Sequence, residues 1–256
     1  LRRSDFQDAV RSFERAIANG QDDPVINVYL AQAQYGLSNY EEAAAAVQRV
    51  ERLNQYPDLY GLWSQSLWEL DRPVEAYQTI SQAIDLFPSR DRFLRQRIFY
   101  LIEMDLTQEA AAQSAAYLDQ AGSDPEAYTT IGEAFRRGGE VARAIHTMEM
   151  AKLRFPESGR VRRVLAQAYV DNGQARIAAR IIEDAAAYDS GLYDEAAELY
   201  RRAGDMTRAV YMNSLVTDQE TKTRQRFNLL LAQERYEEAL ALEPRRRRRA
   251  GRTPPL

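Results

Sequence analysis

Apolar residues along this chain recur at helical spacing. Residues 125–158 show the grammar. Asp124 can cap a helix whose first position is Pro125, where a missing N–H costs nothing. Tyr128, Ile131, Gly132 and Phe135 then fall on one helical face. Gly138 and Gly139 end that helix, because glycine accepts a left-handed C-cap. A second helix carries Ala144, Met148 and Ala151 inward, and Pro156 closes it. Two antiparallel helices joined by so short a turn pack closely only where small residues face each other. The pattern therefore predicts contact of Gly132 with Ala144, and of Ala166 with Ala178 in the next hairpin.

The same grammar repeats. Ala9, Ala43, Ala76, Ala110, Ala144, Ala178, Ala209 and Ala239 each open an apolar helix face, at steps of 34, 33, 34, 34, 34, 31 and 30 residues. A period near 34 residues marks an array of helix–turn–helix repeats. The pattern predicts the second helix of a cut repeat at 4–19, then repeats starting near 24, 57, 91, 125, 159, 190 and 220, filling residues 1–243.

Trp63, Ser64, Leu67, Ala76, Ala83 and Pro88 fit this register, as do Leu165, Ala166, Tyr169, Gly173, Ala178 and Ala185, and then Ala197, Tyr200, Gly204 and Ala209 in a shortened repeat. These residues resemble the tetratricopeptide-repeat (TPR) consensus over roughly residues 4–243. The resemblance implies an all-α, right-handed superhelical solenoid of antiparallel helical hairpins. It also implies a function: binding a protein segment in the groove lined by the first helix of each hairpin. Residues 199–240 are in addition similar to the periplasmic TPR arms of bacterial outer-membrane exopolysaccharide exporters, an alternative function.

Several positions depart from the consensus. Arg97 and Ile98 stand where a large apolar and a small residue belong, and Ser114 and Tyr117 replace an aromatic and an alanine, so the hairpin starting near 91 is expected to splay or to turn its first helix. Phe227 replaces a small residue. The steps of 31 and 30 imply shorter turns between about 187 and 222. Both ends read as cut, so Phe6, Val10, Phe13 and Ile17 of the opening helix are expected to stay partly exposed.

Charge narrows the function classes. The net charge is -4, but residues 244–256 hold six arginines and no acid, which leaves -10 for the array. An acidic array is a poor binder of phosphate backbones, so an RNA-reading helical repeat is the weaker alternative and no nucleic-acid partner is expected. The tail reads as a basic disordered segment or a reading-frame artefact. Arginine outnumbers lysine, with Lys152 and Lys222 alone, as in a GC-rich bacterial gene; the compartment, cytoplasm or periplasm, stays open. No apolar run approaches the roughly 18 residues of a membrane span.

Catalysis finds no support. The chain has no cysteine and one histidine, His146, at an outward position of its helix. No nucleophile elbow, phosphate loop or metal cluster is present, so no enzyme activity, cofactor, metal or small-molecule substrate is expected. Following the TPR resemblance position by position, the candidate groove residues are Tyr35, Gln65, Trp68, Arg92, Arg95, Arg136, Arg160 and Arg163. Val28, Phe99, Ile102 and Thr129 occupy equivalent places. The expected occupant is a protein segment acidic at one end and apolar at the other, because arginine's planar fork holds carboxylates bidentately. The competing expectation pairs these arginines with Glu126, Glu133 and their neighbours. The lysine and asparagines with which chaperone-tail-binding TPRs hold a terminal carboxylate are missing from these positions.

Overall fold

The structure, a computed structural model, describes residues 3–21, 23–118, 122 and 124–242. Every regular element among them is helical. The N-terminal unit, Leu1–Gly138, contains α1 (Arg3–Ala18), α2 (Pro24–Gly36), α3 (Tyr40–Gln48), α4 (Pro57–Glu69), α5 (Pro73–Leu86), α6 (Asp91–Glu103), α7 (Thr107–Leu118) and α8 (Pro125–Arg137). The C-terminal unit, Gly139–Leu256, contains α9 (Val141–Arg154), α10 (Gly159–Asp171), α11 (Ala175–Ala186), α12 (Tyr193–Arg202), α13 (Met206–Leu215), α14 (Gln219–Ala232) and α15 (Tyr236–Leu242). Short 3-10 turns at Leu53–Gln55 and Ser190–Leu192 precede α4 and α12. The chain is an all-α helical-repeat solenoid. The arginine-rich tail lies outside the described residues.

One turn geometry sets the hairpins. Ser38, Asp71, Asp105, Gly139, Gly173, Gly204 and Glu234 all adopt left-handed backbone, with φ between 58° and 81°. Where the following residue is described within one unit, its N–H reaches back to a carbonyl of the first helix. Asn39 donates to the Gln34 carbonyl, Arg72 to Leu67, Leu106 to Leu101, Gln174 to Tyr169, Asp205 to Tyr200 and Arg235 to Leu230, at 2.8–3.0 Å. This is the Schellman closure of a helix C-terminus, which satisfies carbonyls the helix itself cannot. Five residues after each left-handed residue stands one of the periodic alanines. Ala43, Ala76, Ala110, Ala144, Ala178, Ala209 and Ala239 are all 0% exposed. The turn fixes where the second helix starts, and the alanine lets it come close.

Ala166 and Ala178 are both buried where α10 packs on α11. Gly132 is buried in α8 and Ala144 in α9. The shortening of the later repeats falls on α12 and α13, ten residues each. In α1, Val10 is buried, Phe6 and Phe13 are half-buried, and only Ile17 is exposed. The expectation of an open apolar face fails at Val10 because α1 packs directly on α2. Phe13 stacks on Tyr29 at 6.0 Å, and the Phe6 ring lies so close to Gly36 that a β-carbon there would stand 2.8 Å from it.

The hairpin of α6 and α7 is looser than that of α4 and α5, and α7 packs chiefly on α8. Of the four residues that break the consensus, Ile98, Ser114 and Tyr117 are buried, so the hairpin interior holds a phenol ring where the consensus has an alanine. Gly138 makes a close approach to α7. A β-carbon there would meet Ala111 Cβ at 2.7 Å and the Thr107 carbonyl at 3.0 Å. The Gln108 amide donates to the Gly138 carbonyl at 2.7 Å.

Two stability predictions follow from these turns and contacts. Gly138→Ala overpacks the α7 contact and is expected to cost about 1–3 kcal/mol. Gly159→Ala, in open space at a helix start, should instead be neutral or slightly stabilising. Equal melting temperatures for the two variants would contradict this packing. Second, Glu234 adopts φ 60° without being glycine. Left-handed backbone costs a side-chain-bearing residue roughly 1–2 kcal/mol. Glu234→Gly should therefore raise the melting temperature, and Gly173→Ala should lower it.

Candidate functional site

In the N-terminal unit the first helices of successive hairpins are linked by side chains. The Tyr35 hydroxyl of α2 donates to Gln65 Oε1 of α4 at 3.1 Å. Between α4 and α6, the Gln96 amide donates to the Gly61 carbonyl at 3.2 Å and to the Tyr100 hydroxyl at 2.7 Å. Ser64 Oγ hydrogen-bonds to the Ala76 carbonyl and to the Tyr100 hydroxyl, each at 2.9 Å. Trp68 stacks on Tyr100 with ring centroids 4.5 Å apart. Burial pushes the Tyr100 phenol above its ordinary pKa despite these hydrogen bonds, so it stays a neutral anchor.

Above this buried network lies an aromatic surface. Trp68 and Tyr35 are half-buried, and Phe99, tilted against Trp68 at 6.0 Å, is 45% exposed. Tyr35 also meets Tyr40 edge-on at 5.6 Å. The structure thus brings Tyr35, Gln65 and Trp68 together, with Phe99 as the exposed ring beside them. Tyr100, Gln96 and Ser64, which hold the cluster, escape a reading of the sequence. The one available signal is polar Ser64 at a position where the hairpin wants a small residue. Val28, Ile102 and Thr129, equivalent by position, are buried instead. They face packed neighbours rather than a groove.

The candidate arginines are mostly occupied. Arg92 pairs with Asp58, which also takes Arg90 at 3.1 Å. Burial lowers the pKa of the Arg92 guanidinium. Arg95 pairs with Asp124 and, at 3.2 Å, with Glu126. Arg136 forks onto Glu133 with bonds of 2.9 and 2.7 Å. In the C-terminal unit Arg163 meets Glu195 at 3.1 Å, while Arg160 is exposed with no ion pair among the described residues. Exposed pairs like these are each worth about 0.2–1 kcal/mol, so a partner's carboxylate can displace them.

One motif recurs at the end of two first helices. Glu133 binds Arg136 and Arg137, and Glu198 binds Arg201 and Arg202, at the same i+3 and i+4 spacing. Burial raises the Glu133 pKa, but the hydrogen bonds from both guanidinium groups outweigh it and the net shift is downward. Glu198 is also held low, first by its bond from Arg201. Tyr117, buried in α7, is pushed up to about 12. His146 is exposed on α9. Among the described residues no group of His, Asp or Glu side chains is arranged to hold a metal ion, and no helix is long and apolar enough to cross a membrane.

Models described as Tetratricopeptide repeat match residues 1–58 and 126–158, so these two stretches carry tetratricopeptide repeats. No curated protein sequence matches it. Among solved structures, the C-terminal part of a TPR protein from Cytophaga hutchinsonii aligns with a TM-score of 0.69 at 15% identity, over 94% of this chain and 95% of that one. Residues 41 to the end of MamA from Desulfovibrio magneticus align at 0.57 and 19% identity, over 71% of this chain and 97% of that one. YrrB, described as a TPR protein with an unusual peptide-binding site, aligns at 0.55 and 14%, over 71% and 94%. At these identities the likeness is one of fold.

A depressed carboxylate stabilises the fold above its unfolded pKa, and that contribution is lost as pH falls through the folded value. Glu133 and Glu198 should therefore steepen the fall of melting temperature below about pH 5, where free carboxylates begin to protonate. A Glu133→Gln, Glu198→Gln double variant should show a shallower fall between pH 5 and pH 3. Parallel curves would refute the assignment.

Proposed function

We propose that this chain is a protein-interaction scaffold without catalytic activity. In this reading the N-terminal unit holds a partner segment against Tyr35, Gln65, Trp68 and Phe99. The observation that carries it is the exposed Phe99 ring, set beside Trp68 over a buried Ser64–Tyr100–Gln96 network that keeps the surface rigid. Rigid, part-exposed aromatics supply contact area at low entropic cost, which is why such residues concentrate binding energy at interfaces. TPR proteins in general serve as interaction scaffolds.

The occupant is a protein segment apolar at one end and acidic at the other. Its apolar end rests on the aromatic surface. Its carboxylates exchange into the pairs that Arg92 and Arg95 make with Asp58, Asp124 and Glu126, and Arg136 offers the same chemistry on α8. A surface whose guanidinium groups are matched by acids lacks the net positive charge that holds a long run of phosphates, which favours this reading over nucleic acid.

Phe99→Ser tests the proposal without touching the buried anchors. Capture of partner proteins by the full chain should fall about tenfold while the melting temperature stays put, and wild-type capture should weaken with added salt as exposed ion pairs are screened. Undiminished capture by Phe99→Ser would overturn the assignment of this surface.

A further inference from the structure

The C-terminal unit carries a second, differently built groove. It runs between the second helices α11 and α13, has a volume of about 840 Å3 and is open to solvent. That lies within the roughly 300–1,000 Å3 typical of ligand pockets. One wall is the outer face of α11 with Arg180, Glu183 and Asp184; the other is α13 with Tyr211, Met212 and Leu215. Tyr193 at the start of α12 and Tyr188 in the preceding loop complete the lining. Met212 is buried and forms apolar floor.

Two features set this groove apart from ordinary helical surface. The first is its tyrosines. Tyr188 is 81% exposed and Tyr211 55% exposed. Tyr188 is nevertheless not loose, since the Arg162 guanidinium sits 5.6 Å from its ring centroid in a cation–π contact. The second is charge. Glu183 is satisfied from within, by Arg208 at 3.2 Å and by the Tyr200 hydroxyl. Arg162 and Arg180 line the groove with no carboxylate partner among the described residues, whereas Arg208, the third arginine of the lining, is held by Glu183. Asp184 is exposed at the rim.

We propose that the groove between α11 and α13 is a second docking site, for an extended acidic segment of a partner protein carrying one large apolar side chain. Arg162 and Arg180 take its carboxylates, as a planar guanidinium does best. The apolar side chain seats on Met212 and Leu215 between the tyrosine rings. The tyrosine hydroxyls offer hydrogen bonds to backbone carbonyls, which an extended segment leaves unpaired. With Glu183 neutralised by Arg208, two guanidinium groups stand against the single carboxylate of Asp184, a small positive excess that suits one or two carboxylates of a protein segment rather than the long phosphate run of a nucleic acid.

The test uses the full chain and a phage-displayed library of short random peptides. Enriched sequences should combine acidic residues with a large aliphatic or aromatic one. A synthetic winner should bind at least tenfold more weakly, about 1.4 kcal/mol, to Arg162→Glu, Arg180→Glu and to Tyr211→Ser. Circular dichroism melting should be unchanged, and Arg180→Gln provides a milder variant for the same comparison. Binding should be indifferent to Phe99→Ser, so failure of this site and failure of the N-terminal surface are distinguishable. The proposal is overturned by an absence of enrichment, by neutral or basic winners, by equal binding to the groove variants, by loss on Phe99→Ser instead, or by efficient competition from single-stranded oligouridine.

Discussion

Everything in this fold depends on the register between a left-handed turn residue and the alanine five positions after it. The Schellman turn satisfies the carbonyls that end the first helix and aims the chain back along it. The alanine then meets that helix at a point where any larger residue would push the pair apart. Because both are set by the same short stretch, each hairpin specifies its own geometry locally. The interfaces between hairpins, made of larger side chains, then need only accept a fixed shape, as expected for quasi-one-dimensional arrays. The tolerance of the turn is informative: Ser38, Asp71, Asp105 and Glu234 fill it without glycine. Short polar side chains at three of those positions suit the left-handed region, and the hydrogen-bonded closure outweighs the remaining strain.

Electrostatics play the subordinate part. Several arginines along the first helices, Arg92, Arg95, Arg136 and Arg163 among them, are matched to carboxylates, as in Arg95 with Asp124 and Glu126. Such pairs lie near the surface and contribute little individually. Their effect is to remove net charge from surfaces that would otherwise attract any polyanion. Against that background an unmatched arginine beside an apolar ring becomes selective. The surface around Phe99 and the groove around Tyr188 represent two ways of using this: one relies on a braced aromatic platform, the other on guanidinium groups left without acids.

The repeat was legible in the sequence because its determinants are single residues at fixed offsets. The alanines from Ala43 to Ala239 announce the period directly, and their complete burial follows from their place opposite the first helix. Positions in the groove were less legible. Tyr35, Gln65 and Trp68 stand together as their register implies, but equivalent positions at Val28, Ile102 and Thr129 are buried, because neighbouring first helices approach each other at different depths. The Ser64–Tyr100–Gln96 network joins residues on α4 and α6 whose meeting depends on how two hairpins stack, which no spacing within one hairpin reveals. The occupied state of Arg92, Arg95 and Arg163 is likewise a matter of side-chain reach between elements some thirty residues apart. The groove between α11 and α13 is less legible for a related reason: its walls belong to the second helices of two different hairpins, which no spacing within one hairpin relates.

Gly138 ties the last helix of the N-terminal unit to the helix before it. With no side chain between it and Ala111, and with its carbonyl taking the Gln108 amide, the end of α8 sits directly on α7. Because α6 packs on both α7 and α8, these three helices would yield together under tension applied along the chain, rather than one hairpin at a time.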